Sequence, residues 1–208
     1  MAGIDEAGRG AWAGPVVAAA VVLPRRPGLE RRLASVLREE VVADGSVRAA
    51  AVQDSKELSS SQRAIADRAI RRVAIGVGVG VAPAEIVDEL GLSVAGQVAF
   101  WRAVRALPKP PGHLLVDGFP LWSPIYQQVA VLDGDARCLS IAAASIVAKV
   151  ARDHMMRQLD LESPGYGFAR NAGYGTAEHR RALGLLGPTA QHRRTYRPLL
   201  SLVGGPVG

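Results

Sequence analysis

Near the start of the chain two adjacent carboxylates, Asp5 and Glu6, stand between a short apolar entry and a turn built from Gly8-Arg9-Gly10. If Ile4-Asp5-Glu6 end a β-strand, successive side chains point to opposite faces, so one acid is directed toward the core side. A carboxylate placed there must be paired, protonated or bound to a cation. The glycines that follow let backbone N–H groups approach a ligand closely, with an always-charged guanidinium between them. Carboxylates for a metal beside amides for a phosphate suit phosphodiester chemistry. The plainer alternative is a strand end with a solvated Asp-Glu pair and a Gly-rich turn. Because Met1 lies only four residues before Asp5, the first strand is expected to be very short and poorly supported.

Further along, the β-branched and alanine-rich run Val16 to Leu23 reads as a buried strand, reached through a close reversal that makes it antiparallel to the first. Residues 24–51 are the least regular part, with a short amphipathic helix expected from about Leu29 to Val42. A helix over Gln62 to Val73 has an N-cap among Ser59 to Ser61. Val73 to Val81 then alternates glycine with β-branched residues, which predicts a strand closely covered by another element. Pro83–Leu90 and Ser93–Leu107 read as two helices broken near Gly91, with Trp101 as packing, before the linker Pro108 to Gly112.

Two more strands, His113–Asp117 and Gln127–Leu132, each lead to an aspartate at the carboxyl end, the second through Asp133-Gly134-Asp135. The helix expected from Ile141 to Leu161 opens so free of charge that it must be buried against the sheet. A Gly-rich aromatic loop over Gly165 to Gly175 precedes a basic helix capped by Thr176, and the basic block His192-Arg193-Arg194 follows.

A length of 208 residues suits one domain with a sizeable core, and 49% apolar with 21% charged residues argues against general disorder. The 25 basic against 19 acidic residues, net +6, point to a polyanionic partner. Arginine so dominates that only Lys56, Lys109 and Lys149 remain as lysines, and those that persist are candidates for contacts a guanidinium cannot make. A lone cysteine, Cys138, fits a reducing compartment. No apolar run reaches ~18 residues and no signal segment opens the chain, so a cytoplasmic protein without a membrane span is expected, a monomer by default.

The strand ends together place Asp5, Glu6, Asp117 and Asp135 where sites form in open α/β sheets, beyond the carboxyl ends of strands. Four acids gathered there cannot all stay ionised without cations, and hard divalent ions with oxygen ligands resolve the conflict. A pair of such ions ~3.5–4 Å apart activates a water and stabilises the leaving oxygen of a phosphodiester.

The opening stretch Gly3 to Gly10 resembles the first signature of the type 2 ribonucleases H, bacterial ribonuclease HII in particular. Further stretches match that family in order: Asp54-Ser55-Lys56, Val116-Asp117-Gly118, Gly134-Asp135 leading into Ile141 to Ile146 with Lys149 and Arg152-Asp153, then Gly173-Tyr174-Gly175-Thr176, Glu178-His179 and His192-Arg193-Arg194. The resemblance implies a ribonuclease H-like α/β fold, with a five-stranded mixed sheet flanked by helices and a C-terminal helical, substrate-binding part over residues 163–208. It implies a single catalytic domain over residues 1–208, with 24–51 as an insertion. It further implies Mn2+- or Mg2+-dependent hydrolysis of RNA in RNA/DNA hybrids and incision 5′ of single ribonucleotides in duplex DNA. By position, Asp5, Glu6, Asp117 and Asp135 would be the metal-binding acids. Gly8, Arg9 and Gly10 would read the ribose 2′-hydroxyl, the group that distinguishes RNA from DNA. Tyr174 would stack on the sugar. Lys56, Ser145 and Lys149 would hold phosphates or support the acids, with Arg152, His192 and Arg193 as weaker candidates.

Three departures from the family pattern stand out: Asp133 where a basic or neutral residue is commoner, Ala172 in place of a lysine, and the 24–51 insertion. They predict altered affinity or salt dependence rather than lost activity. Two rivals remain at this point: a nucleic-acid-binding protein with structural acids, and another metal-dependent nuclease on the same fold, such as a Holliday-junction resolvase. The first predicts metal-independent binding without cleavage, the second cutting of all-DNA substrates.

Overall fold

Strand β1, Ala2–Ala7, lies at the centre of a five-stranded mixed sheet rather than at a frayed edge. The computed structural model describes residues 1–29, 31, 33, 58–197 and 199. β2, Val16–Val22, runs antiparallel to β1, and β3, Gly76–Ala82, runs antiparallel to β2. On the other side of β1 lie β4, His113–Asp117, and β5, Gln127–Val131, both parallel. The order is β3-β2-β1-β4-β5. The expectation of a very short first strand therefore fails: β1 runs six residues, with Gly3–Ala7 paired to β2 and Ala2–Ile4 paired to β4, and the strand continues past both acids.

Side-chain alternation assigns the two faces. Ala19 and Val21 of β2 pack with Ile65, Ala69 and Ile70 of helix α1, Ser60–Val73, and with the apolar start of the long helix α4, Leu139–Glu162. Val16, Ala18 and Ala20 face the opposite way, with Ala2 and Ile4 of β1, onto helix α2, Ala84–Arg105. The result is a sheet between helical layers, with the uncharged opening of α4, Ile141 to Ala148, buried against it. Ser59 caps α1 in a reciprocal arrangement with Gln62, a feature that contributes about 1 kcal/mol.

The glycine alternation in β3 is explained by α2. A Cβ on Gly80 would stand 2.0 Å from the Ala99 carbonyl oxygen, so only bare backbone admits the helix at this spacing. The break expected near Gly91 is present as a φ of 81° inside α2. Trp101 is half-buried against the same core, 6.1 Å from the Tyr126 ring.

A third core ties the carboxyl-terminal part to α4. Tyr166, Phe168, Leu183 and Leu199 close around Met156 and Ala13. Here the Gly-rich loop contains the short helix α5, Phe168–Asn171, and Thr176 caps helix α6, Ala177–Leu186, as the sequence predicts. The one-turn helix α3, Gly134–Arg137, carries Asp135, which corrects its placement at a strand end. β5 stops at Val131, and Asp133 turns the chain with a left-handed φ of 51°, which an aspartate tolerates better than most residues. The helix expected over 29–42 and the Asp54-Ser55-Lys56 stretch lie outside the described residues apart from Leu29, Arg31 and Leu33. Among the described residues no helix is long and apolar enough to cross a membrane.

Candidate active site

Strand register brings the acids together. Ile4 pairs with Val116 across the parallel β1–β4 ladder, so one residue further along both strands Asp5 comes beside Asp117. Asp5 faces α4, where Ser145 donates a hydrogen bond to its carboxylate. Burial, with Glu6 and Asp117 nearby, pushes the Asp5 carboxyl up to about 8 against those hydrogen bonds. Burial likewise raises Glu6, opposed by Arg9, whose Nη1 lies 3.3 Å from Glu6 Oε1.

The backbone already holds three of these carboxylates. Asp5 Oδ1 accepts from the Glu6 N–H at 2.7 Å, Asp117 Oδ1 from the Gly134 N–H at 2.7 Å, and Asp135 Oδ1 from the Ala136 N–H at 3.0 Å. Among the described residues no three His, Cys, Asp or Glu side chains form a ready-made metal cluster. The chemistry of the donor set nevertheless fits a hard divalent cation. Asp5, Glu6 and Asp117 are close enough to repel one another and offer only oxygen, and Asp135 is tethered next to Gly134, which holds Asp117.

Beside the acids opens a cleft of about 400 Å³ lined by Glu6, Gly8, Arg9, Gly10, Lys149 and Tyr174, with Arg63 and Ser145. Nearly all the sequence-derived substrate contacts thus meet in one place. Ser145 is buried and serves Asp5, while Lys149 Nζ is held by Asp153 Oδ1 at 2.6 Å. Tyr174 is 40% exposed and faces the glycine turn: a Cβ on Gly10 would lie 3.9 Å from its Cε1. Arg63 escaped the sequence reading. It lies in the first turn of α1, where an arginine in a chain this basic carries no special signal, and its largely buried side chain joins the cleft by reaching toward Asp153 at 3.7 Å.

Arg152, His192 and Arg193, the weaker candidates, are fully buried and do not line the cleft. They build the loops that do. Arg152 donates to the carbonyls of Ala13, Pro15 and Ala172, and Arg193 to those of Arg9, Ala11 and Gly14. Five carbonyls of the 9–15 loop therefore turn inward onto two guanidinium groups. Burial lowers both arginine pKa values, that of Arg193 to about 10, which leaves Arg193 a cation at neutral pH. Gly8 shows how tight the fit is, because with φ at +89° a Cβ there would come within 1.9 Å of Arg152 Nε.

Under Tyr174 lies a histidine relay. The Thr189 N–H donates to His192 Nδ1 at 3.0 Å, so a neutral His192 carries its proton on Nε2. That proton points at His179 Nε2, 3.0 Å away, which leaves His179 Nδ1–H to donate to the Tyr174 carbonyl. Tyr166 and Phe168 pack their rings against the pair.

A sequence model of the family described as Ribonuclease HII matches residues 2–199. The chain belongs to the ribonuclease HII family. It is 46% identical over 200 residues to the Ribonuclease HII of Chloroflexus aurantiacus, covering 96% of this chain and 87% of that protein. The fold is that of ribonuclease H2 from Pyrococcus horikoshii OT3, with a TM-score of 0.74 at 22% identity over 98% of this chain and 96% of that one. It also matches Bst-RNase HIII in complex with Mn2+, with a TM-score of 0.64 at 19% identity, covering 98% of this chain and 68% of that one. The protein is accordingly a divalent-metal-dependent ribonuclease H, an endonuclease of the kind that acts on RNA/DNA hybrids.

Proposed function

We propose that this chain, beyond cutting the RNA strand of hybrids, incises 5′ of single ribonucleotides in duplex DNA and leaves 3′-hydroxyl and 5′-phosphate ends. The observation that carries this reading is the single cleft in which Glu6, the Gly8-Arg9-Gly10 turn, Lys149 and Tyr174 line the same space. A site that needs one ribose has to read a 2′-hydroxyl at the cleaved junction, and bare backbone opposite a tyrosine ring suits that task.

Asp5, Glu6, Asp117 and Asp135 are the residues that would hold Mn2+ or Mg2+, whose bound pair supplies an activated water and neutralises the leaving oxygen. Ser145 keeps Asp5 oriented, and Arg9 does the same for Glu6. Gly8, Arg9 and Gly10 present backbone to the 2′-hydroxyl and its neighbouring phosphate, while Tyr174 stacks on the sugar beyond it. Lys149, shared with Asp153, is placed for a phosphate, and Lys56 has the same assigned role from outside the described residues. In this reading residues 1–208 act as one catalytic domain, 24–51 is an insertion, and 163–208 form its substrate-binding part.

Incubation with Mg2+ or Mn2+ and labelled duplexes carrying one ribonucleotide, an RNA tract, or DNA alone tests the proposal. The expected result is incision of both ribonucleotide-containing strands and none of the DNA control. Cutting of RNA tracts alone would reject single-ribonucleotide incision, and cutting of the DNA control would reject ribose recognition altogether.

A further inference from the structure

The β4–β5 connection holds two large aromatic rings in solvent. Phe119 is 66% exposed and Trp122 is 62% exposed, yet the segment that bears them is firmly fixed. Leu121 between them is fully buried. Gln97 of α2 donates from Nε2 to the Pro120 carbonyl at 3.1 Å and accepts from the Trp122 N–H at 2.6 Å. Gln128 of β5 treats Leu121 the same way, accepting from its N–H at 2.8 Å and donating to its carbonyl at 2.7 Å. Two glutamines thus stand in for missing strand partners, and their effect is to fix exposed rings in place rather than to bury them.

Position says what the rings serve. They edge a cleft of about 230 Å³ that also contains Arg9 and Asp117, so the aromatic surface continues directly from the candidate catalytic acids. The Arg9 guanidinium carbon lies 5.9 Å from the Phe119 ring centroid while Nη1 of the same side chain reaches Glu6. One arginine therefore joins the acidic centre to the aromatic surface. A polyanion drawn to a chain of net charge +6 and seated over Asp117 would lie beside these rings, which line the same cleft.

We propose that Phe119 and Trp122 form a rigid apolar shelf for the sugar faces and base edges of nucleotides flanking the cleaved position. This rests on the chain's activity toward RNA/DNA hybrids. Aromatic faces pack on nucleotides without demanding a sequence, and a shelf already held by Gln97 and Gln128 loses little freedom when it does so. Exposed apolar side chains of this size otherwise mark a binding surface or an aggregation hazard.

Binding and cleavage are to be measured separately. A fluorescein-labelled RNA/DNA hybrid is titrated with the full chain in the presence of chelator, across a series of salt concentrations, for wild type, Phe119→Ala/Trp122→Ala, Phe119→Tyr/Trp122→Tyr and the remote control Ile75→Ala. The double alanine variant is expected to raise Kd about tenfold without changing the slope of log Kd against log salt, because no phosphate contact is lost. The double tyrosine variant retains rings and is expected to stay within about threefold of wild type, as is Ile75→Ala, whose side chain is 63% exposed elsewhere. An unchanged Kd in the alanine variant overturns the proposal. So does a changed salt slope, or a concentration-dependent loss of self-association in that variant, which would assign the surface to a second copy of the chain. Should wild type fail to cleave ribonucleotide-containing duplexes when Mg2+ or Mn2+ is restored, the catalytic reading fails while the binding series still decides the shelf.

Discussion

His179 and His192 meet Nε2 to Nε2 at 3.0 Å with both side chains withdrawn from solvent. Only one proton fits between the two nitrogens, so the pair is stable when both rings are neutral. Burial lowers both pKa values, that of His192 to about 4, with His179 and Arg194 acting in the same direction, while Glu178 opposes the shift on His179.

The sign of the resulting pH dependence follows. An unfolded histidine titrates near ~6.5, so below that pH the unfolded chain binds more protons than the folded one. Stability from this pair is complete above ~6.5 and is lost as pH falls toward about 4, where His192 takes up its proton. Denaturant unfolding at pH 7.5 and 4.5 is expected to differ by on the order of 2–3 kcal/mol more in wild type than in His192→Gln. Equal pH sensitivity in the two proteins would show that the imidazole pair does not titrate on unfolding.

Gly8→Ala is expected to be damaging beyond its size. The new methyl group meets Arg152 in a backbone conformation, φ +89°, that an L side chain resists. A stability loss of about 1–3 kcal/mol and a much larger fall in kcat/KM should appear together in denaturation and cleavage assays. Wild-type cleavage by this variant would mean that the 8–10 turn need not hold its shape.

Tyr174→Ala should cost single-ribonucleotide incision about tenfold or more, since a lone ribose offers the site few other contacts, and cost RNA-tract cleavage less. Parallel assays on the two substrates decide it. Equal losses remove the sugar-stacking role.

Asp5→Asn separates charge from shape. Replacing a carboxyl whose ionisation is opposed by burial first, and by Glu6 and Asp117 in addition, should raise stability in chelator by on the order of 1 kcal/mol while lowering turnover by about 10³. Mn2+ should raise the Tm of wild type and leave that of the variant nearly unmoved. A variant still stabilised by Mn2+ would place the ion away from Asp5.

Much of this site is legible without coordinates because its acids lie at the ends of apolar runs and its turn is spelled by glycines. Asp5, Glu6 and Asp117 announce themselves through position along a strand, which is a local property. Asp135 is less clear, since the left-handed turn at Asp133 carries it onto a helix that no periodicity marks. Arg152, His192 and Arg193 are misleading for a physical reason. In a basic chain a cation looks like a ligand contact, and what buries these three is the meeting of loops around residues 13, 172 and 193, which no short window of sequence contains. The Phe119–Trp122 shelf is equally hidden, because rigidity there depends on Gln97, more than twenty residues away.

The inward turn of the 9–15 carbonyls onto Arg152 and Arg193 also bears on redesign. Both guanidinium groups grip backbone, so apart from Gly14, where a Cβ would meet Met156, the path of this loop is held by atoms that every residue type possesses. Side chains along its outer surface, Arg9 foremost, are therefore open to exchange without dismantling the frame. Libraries that vary Arg9 and Tyr174 over an untouched Arg152–Arg193 core are the natural route to enzymes that distinguish differently modified sugars.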